Sequence, residues 1–508
     1  MKDLCFMKTT KALALILALL IFVLPLVACD TSVTNGNSND SDEQVEENND
    51  TPTITYTREK YAGYNYEGYN FRVLSLTPGT HYYWMIDGME GNGWCNEVWY
   101  EEDNADVQIH SVFTRNVLAE ELLNIDISLL PGGDKYEIDS LVRTLVKAGG
   151  DDFDMTIGSQ CKYLPLASEG YFRNLREIET LDLSENWWDR EYIDTFTYKN
   201  KYLFTVCGDY NIFDDYATPV VFYNKQVLEN FNLDDPADLV DAGTWTLDAM
   251  MDYVSKVTND ASGDGNLDEN DIWGLVDNDQ YIFHFTTGCN IHFSELDEEG
   301  VPQVTIDSEQ FTNTVQAVFD KIAMSGKGLF TDNGICYDMF KDDRALFYYE
   351  ILAGINMLRD MESDFSLLPT PKLNPEQKNY GSLAQGIYLT VLSVPLSAKD
   401  VDRTGVIMNV LGGMSTDTVD AALHEVVLGP KLFREKRTND MLTYALENRK
   451  YDWGENVPWA YPLMNLLRDL GSSQSFTLSS SIQRNIKLLR TQLKRFAAGF
   501  EIYNGKAK

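Results

Sequence analysis

Cysteine and histidine are scarce in this 508-residue chain, at 7 and 5 copies. No C-x-x-C pair occurs among the cysteines, which excludes the common zinc-binding frameworks. Cys5 and Cys29 lie in an N-terminal leader, leaving Cys95, Cys161, Cys207, Cys289 and Cys336. That odd set holds at least one free thiol, and a disulfide framework is not expected. Positive charge is also short, with 41 Lys and Arg against 79 Asp and Glu, a formal net charge of −38. Nucleic-acid binding and a basic membrane patch are thereby excluded, since both need cations to neutralise phosphate. Missing too are G-x-S-x-G, H-E-x-x-H and the P-loop, the short signatures of hydrolases, metalloproteases and nucleotide enzymes. No internal repeat is evident.

The N-terminus supplies the first positive signal. MKDLCFMKTTKALALILALLIFVLPLVACD joins a lysine-bearing start to an apolar run from Ala12 to Val27 and small residues before Cys29. The run is shorter than the ~20 residues of a spanning helix and Pro25 interrupts its end, so residues 1–28 read as a signal peptide. Leu26-Val27-Ala28-Cys29 resembles the lipobox of bacterial lipoproteins, which implies lipidation of Cys29. Residues 29–60 are acidic and polar, with little to bury, and read as a disordered acidic tether. The body beyond it is expected on the extracellular face of the cell membrane, lipid-anchored.

About 440 residues follow, more than one core usually serves, so two domains are expected. Tyr69 to Leu76 alternates into a strand, and a Trp/Tyr-rich loop runs from Thr77 to Trp99. Helical spacing covers Val112 to Leu123, a strand Ile125 to Leu130, a helix Glu137 to Ala148, and a strand Phe153 to Gly158. This is the order of an open α/β sheet, whose ligands sit outside the carboxyl ends of the strands. Further strands are expected at Val220–Lys225, Ile272–Leu275, Ala345–Tyr349, Asp364–Pro369 and Ile387–Val394. In GTWTLDAMMDYVSKVT, Thr244 or Thr246 can cap a helix whose apolar face is Leu247, Met250, Met251 and Val254.

After that helix, DASGDGNLDEND fits a twelve-residue calcium loop, with ligands at Asp260, Ser262, Asp264, Asn266 (through its carbonyl), Asp268 and Asp271. Gly265 takes the sharp-turn position, and Leu267 offers an apolar foot. The twelfth position carries Asp in place of the usual Glu. With no second loop to pair with it, calcium is expected as a structural cofactor of one lobe, not as a signal.

Several segments in order carry a family resemblance: FDMTIGSQCKYLPLASEGYFRNL, VVFYNKQVLENFNLDDP followed by GTWTLDAM, ALFYYEILAGINML, DFSLLPTPK and FREKRTNDMLTYALENRKYDWG. Together they resemble the extracellular solute-binding proteins of bacterial ABC importers, family 1, the sugar and oligosaccharide receptors, the last segment being similar to clostridial members. The resemblance covers most of the mature chain. Where the family often has Gly-Trp after a late strand, this chain has Glu350-Ile351-Leu352. The resemblance implies an α/β, two-lobed periplasmic-binding-protein-like fold (class II type) with an interlobe hinge and a ligand cleft. Residues 68–205 plus 388–430 would form lobe 1, and 206–387 plus 431–508 lobe 2.

A sugar presents an apolar face and a ring of hydroxyls, so its site needs flat aromatics and paired hydrogen-bonding groups. The candidates in the expected ligand loops are Trp84, Gln160, Tyr163, Asp209, Tyr210, Tyr281, His284, Tyr349, Glu350, Gln385, Trp453 and Trp459. His284 has no second histidine near it and is not expected to ligate a metal. The function implied is a membrane-anchored solute receptor, not an enzyme, that captures an oligosaccharide and delivers it to ABC transporter permease subunits. The alternatives are a secreted glycan-active enzyme, which needs two carboxylates across a cleft, and a calcium-dependent surface adhesion protein, which would normally show repeats or paired calcium loops.

Overall fold

The alternating run at Tyr69 becomes the middle of a sheet. In the computed structural model, which describes residues 52–80, 94–358, 360–423, 436–455, 457–473 and 475–504, Tyr69–Ser75 (β1) pairs in parallel with both Ile125–Pro131 (β2) and Met155–Ser159 (β3). Its Phe71, Val73 and Leu74 are fully buried, so both faces are covered, as a parallel sheet requires. Thr390–Ser393, the last strand in the chain to join a large sheet (β9), lies antiparallel to β3 with Thr390 opposite Ser159. The order in this first lobe is therefore β9-β3-β1-β2.

The second lobe surrounds a five-stranded sheet. Pro219–Asn224 (β4) runs antiparallel to both Ala345–Ile351 (β7) and Phe365–Leu368 (β8). Trp273–Asp277 (β5) pairs in parallel with β7 and with the edge strand Gly328–Phe330 (β6). Pro219 stands opposite Ile351, so the ends of β5, β6 and β7 and the beginning of β4 share one sheet edge.

Helix boundaries depend on caps more than on apolar spacing. The helix expected from Val112 begins at Val107 (α2, Val107–Leu123), where the Asp106 carboxylate accepts the Ile109 amide at 3.0 Å. Between the two candidate caps of the next amphipathic helix, Thr246 is the one used. Its hydroxyl accepts the Ala249 amide at 3.3 Å and opens Leu247–Val257 (α4). Beside it Trp245 is fully buried and its indole donates to the Pro369 carbonyl at 2.9 Å. An indole removed from water there contributes about 4–6 kcal/mol of apolar burial.

Two expectations need correction. The tether does not extend to residue 60, because Thr53–Tyr61 is a helix (α1) with Thr57 and Tyr61 buried. It docks on Val401–Ser415 (α6), and the Ile54 amide donates to Asp417 just beyond that helix at 2.7 Å. Polar composition hid this docking, which needs only two buried side chains. The C-terminal helix Leu478–Ile502 (α7), expected wholly in the second lobe, touches both. Ser168 of the first lobe donates to the Phe496 carbonyl at 2.7 Å, while Arg490 pairs with Asp307 at 2.7 Å. The stretch expected as a signal peptide, residues 1–28, and Cys29 lie outside the described residues. Among the described residues, no helix is long and apolar enough to cross a membrane.

Gly274 in β5 gives a test of the second lobe. A Cβ there would lie 2.3 Å from Val254 Cα and 2.5 Å from the Val254 carbonyl oxygen. Strand and helix thus meet backbone to backbone. Replacing a strand glycine ordinarily helps a sheet, but here the clash decides the sign. Gly274→Ala is expected to lower stability by about 1–3 kcal/mol in urea unfolding followed by tryptophan fluorescence.

Candidate functional site

Where β3 ends, the chain turns into Gln160–Ser168 (α3), which sets Gln160 at the first helical position. Its backbone amide donates to the Leu389 carbonyl at 2.9 Å, which fixes it beside the segment leading into β9. Gln160 is 1 % exposed, yet neither Nε2 nor Oε1 of its amide has a hydrogen-bond partner. Buried side-chain amides are normally satisfied, and that of Gln160 is an exception. Gly386 lies against it. A Cβ at Gly386 would sit 2.0 Å from Gln160 Oε1 and 2.5 Å from Glu455 Oε2, and the Gly386 amide donates to Glu455. Only glycine lets the amide and the carboxylate converge there. Gln385, half-buried, donates its backbone amide to the Ala217 carbonyl at 3.0 Å and so belongs to the same seam between the lobes.

On the other side, the shared edge of the second sheet carries a carboxylate-rich cluster. His284, in Tyr281–Gly288 (α5), places Nδ1 at 3.0 and 3.1 Å from the two Asp277 oxygens. The imidazole stacks on Tyr349 at 4.4 Å. Glu350 is buried, with Oε1 accepting the Ile351 amide at 2.8 Å and Oε2 the Tyr348 hydroxyl at 3.1 Å. Beyond β5 and β6 a cavity of about 490 Å³ is lined by Asn278, Asp279, Gln280, Thr331, Asp332 and Asn333. Its walls are lined by side chains that offer both donors and acceptors.

Asp209 lines a second cavity, of about 510 Å³, with Trp188, Asp189, Asp215, Asp420 and Arg449. The Arg449 guanidinium bonds Asp189 at 3.0 Å and also Asp215, and Tyr451 donates to Asp189 at 2.6 Å. Asp209 itself accepts the Thr416 hydroxyl.

The aromatic candidates fare differently from the polar ones. Tyr163 is fully buried, its hydroxyl between Thr156 Oγ1 at 2.7 Å and the Ile157 carbonyl at 3.1 Å. Tyr210 is covered by the Arg115 guanidinium, 4.2 Å from its ring centre. Tyr281 stacks on Phe330 at 3.5 Å and donates to the Gly471 carbonyl at 2.7 Å. Trp453 sits among Phe196, Tyr198, Phe496 and Phe500, donating to the Thr195 carbonyl, and Trp459 donates to the Trp453 carbonyl. With Tyr349 behind His284, these six rings are core side chains in this structure, and none presents an open face for stacking. Trp84 lies outside the described residues. Sequence reasoning missed Glu455 and Glu97, two buried carboxylates at the seam, because isolated acids in loops carry no periodic signal.

In the acidic loop, the first-position carboxylate of Asp260 accepts the Ser262 hydroxyl and the Gly263 and Gly265 amides at 3.1, 2.6 and 2.8 Å. Asp264 and Asp268 accept the Asn266 and Asn270 amides, both at 2.8 Å. Asp271 accepts the Ser262 and Asp268 amides, which hold its carboxyl below the usual range. Gly265 adopts φ 88°, as the sixth position requires. Leu267, expected as the apolar foot, is exposed. The fastening is instead the Trp273 indole, which donates to the Asp268 carbonyl at 2.8 Å. Among the described residues no three carboxylate, imidazole or thiol groups converge closely enough to cage a metal ion. The loop in this form satisfies its carboxylates with its own amides.

No family model matches the chain, and no curated protein matches it either. Solved structures do. A cyclo/maltodextrin-binding protein complexed with maltotetraose aligns with TM-score 0.57 at 11 % identity, over 85 % of this chain and 98 % of that one. An extracellular solute-binding protein from Staphylococcus aureus in complex with maltose gives TM-score 0.55 at 11 % identity, over 85 % and 99 %. The maltose/maltodextrin-binding domain from Bdellovibrio bacteriovorus bound to maltotriose gives 0.51 at 14 %, over 84 % and 100 %. At such identities the likeness is one of architecture, and it spans nearly the whole of each neighbour: this chain has the two-lobed α/β fold of the periplasmic-binding-protein class.

Proposed function

We propose that the protein is a lipid-anchored receptor on the outer face of the cell membrane, which captures an oligosaccharide between its lobes and delivers it to ABC transporter permease subunits. The observation that carries this reading is the unpartnered Gln160 amide, buried at the carboxyl end of β3 where a two-lobed α/β fold takes its ligand. Solved neighbours with this fold hold maltotetraose, maltose and maltotriose, which supports the solute class. The polar lining of the cavity beyond β5 and β6 supports a hydroxyl-rich ligand. Lipidation of Cys29 rests on the sequence Leu26-Val27-Ala28-Cys29 alone.

The seam carboxyls suit a neutral polyol. Burial pushes Glu350 up to about 7, and burial together with the nearby Asp420 pushes Asp209 up to about 8. Near neutral pH such groups exchange between donor and acceptor, and a sugar hydroxyl pairs with either form.

Titrating the chain with a maltodextrin ladder in a thermal-shift assay is expected to raise Tm for some members. Gln160→Ala should weaken the best of them about 2- to 10-fold, the worth of one or two neutral hydrogen bonds. Steady hydrolysis of the stabilising glycan would refute the receptor reading.

The raised Asp209 carboxyl also has a stability signature. Its folded value, about 8, lies above the unfolded one, about 3.9, so its contribution is complete below about pH 4 and is lost as pH rises toward 8. Asp209→Asn keeps an acceptor for Thr416 and removes the ionisation. The variant should gain stability relative to the natural chain between pH 5 and pH 8, read from urea midpoints, and a pH-independent difference would show that Asp209 is not held neutral.

Calcium in the loop Asp260–Asp271 is a separate proposal, supported by ligand spacing and the left-handed Gly265. An ion must draw carboxylates off the amides they now accept. Excess calcium should therefore raise Tm over the chelated protein, and Asp264→Ala should abolish the difference. Equal melting with calcium and chelator would leave an acidic turn that closes itself.

A further inference from the structure

Two segments pass between the lobes side by side. Val206 and Leu392 exchange backbone hydrogen bonds at 3.1 and 2.7 Å where both still belong to the first lobe. Nearer the second lobe, the Gln385 amide donates to the Ala217 carbonyl at 3.0 Å, and Ser382 Oγ donates to the carbonyl of Pro219, the first residue of β4, at 3.2 Å. Between these rungs the segments are joined by side chains. Asn211 Nδ2 donates to Thr390 Oγ1 at 3.0 Å, and the Thr390 hydroxyl donates to Glu97 Oε1 at 2.9 Å. The same carboxylate oxygen accepts the backbone amides of Ile212 and Phe213 at 2.5 and 2.8 Å.

Glu97 belongs to neither crossing. It closes the short helix Trp94–Glu97 within the Trp/Tyr-rich stretch, and it is 0 % exposed. Its main chain is held as firmly as its side chain. The Arg115 guanidinium of α2 donates to the Glu97 carbonyl at 2.7 Å and to the Val98 carbonyl at 3.2 Å, and Asn116 Nδ2 donates to the Val98 carbonyl at 2.8 Å. One carboxylate therefore gathers three donors from two crossings and fixes them to the sheet-flanking helix of the first lobe. Two acceptors in the knot, Glu97 Oε2 and Asn211 Oδ1, are buried without partners.

We propose that Glu97 is a positioning residue of the interlobe hinge: by binding both crossings at once it sets the resting angle between the lobes. The hinge role stands on the fold, and its consequence for solute affinity rests on the receptor reading. Glu97→Ala removes all three hydrogen bonds, whereas Glu97→Gln keeps a carbonyl oxygen for the same donors.

The test uses the full chain with spin labels at Glu121→Cys, exposed on α2, and Ser255→Cys, exposed on α4, and a control without the added cysteines. Double electron–electron resonance reads the interlobe distance distribution without solute. Glu97→Ala should shift or at least double the width of the distribution, and Glu97→Gln should restore the natural one. Thr390→Val, which cuts the Asn211–Thr390–Glu97 relay alone, should widen it less and covers the case in which the alanine variant fails to fold. A melting temperature lowered by alanine with an unchanged distance distribution would reduce Glu97 to local packing and overturn the proposal. A glutamine variant as displaced as the alanine one would overturn the hydrogen-bond account. Adding maltodextrin to the natural chain separates the two readings, because no response there would sink the receptor assignment while leaving the solute-free distances to judge the hinge.

Discussion

A segment that leaves one sheet before it enters another must find partners for every amide on the way, since neither ladder serves it and water has little access. Much of this molecule follows from that constraint. The first two crossings lie against each other, so that Ala217 serves Gln385 and Val206 serves Leu392. Where they part, side chains take over: Glu97 accepts the amides of Ile212 and Phe213, and Glu455 accepts that of Gly386. A carboxylate suits this duty because one oxygen can accept several donors at once. The result is a seam dense in buried carboxyls, from which a ligand-binding surface can be made without further invention.

The acid surplus of the chain has an inward counterpart. Arg115 and Arg449 are both largely withdrawn from solvent, yet they are paired differently. Arg449 meets the carboxylates of Asp189 and Asp215, whereas Arg115 donates to the carbonyls of Glu97, Val98 and Tyr210 and to the Asn116 amide oxygen. Breaking either set would strand a cation in a poorly hydrated place, which costs about 3–5 kcal/mol for a buried ion pair. Both arginines bind segments that run toward or between the lobes, and so charge is placed inside the protein where position matters more than stability.

Most of the fold was legible because burial leaves periodic traces. Alternation marked β1, a candidate threonine cap and the apolar stripe marked α4, and the strand-helix order implied an open sheet whose ligands lie beyond the carboxyl ends. The position of Gln160 was legible for the same reason, since the end of a strand is a place that a pattern can locate. The aromatic candidates were not. Tyr163, Tyr210 and Trp453 have the composition of a stacking platform and equally of a core, and only the neighbours that cover their faces, Phe172, Arg115 and Phe500, decide between them. Glu97 and Glu455 were invisible because their partners lie far away in sequence. The docked helix α1 escaped notice because its surface is polar and its hold on α6 depends on a glycine: a Cβ at Gly413 would fall 2.3 Å from Thr57 Oγ1.

That docking has a mechanical consequence. The chain ahead of residue 52 reaches the body through α1, which the Asp417 carboxylate holds by the Ile54 amide and the Glu185 carboxylate by the Tyr56 hydroxyl at 2.9 Å. Any tension transmitted from that end is therefore delivered to the scaffold around α6 and spent before it can reach the seam. The first lobe is thus the part of the body to which the chain ahead of residue 52 is fastened.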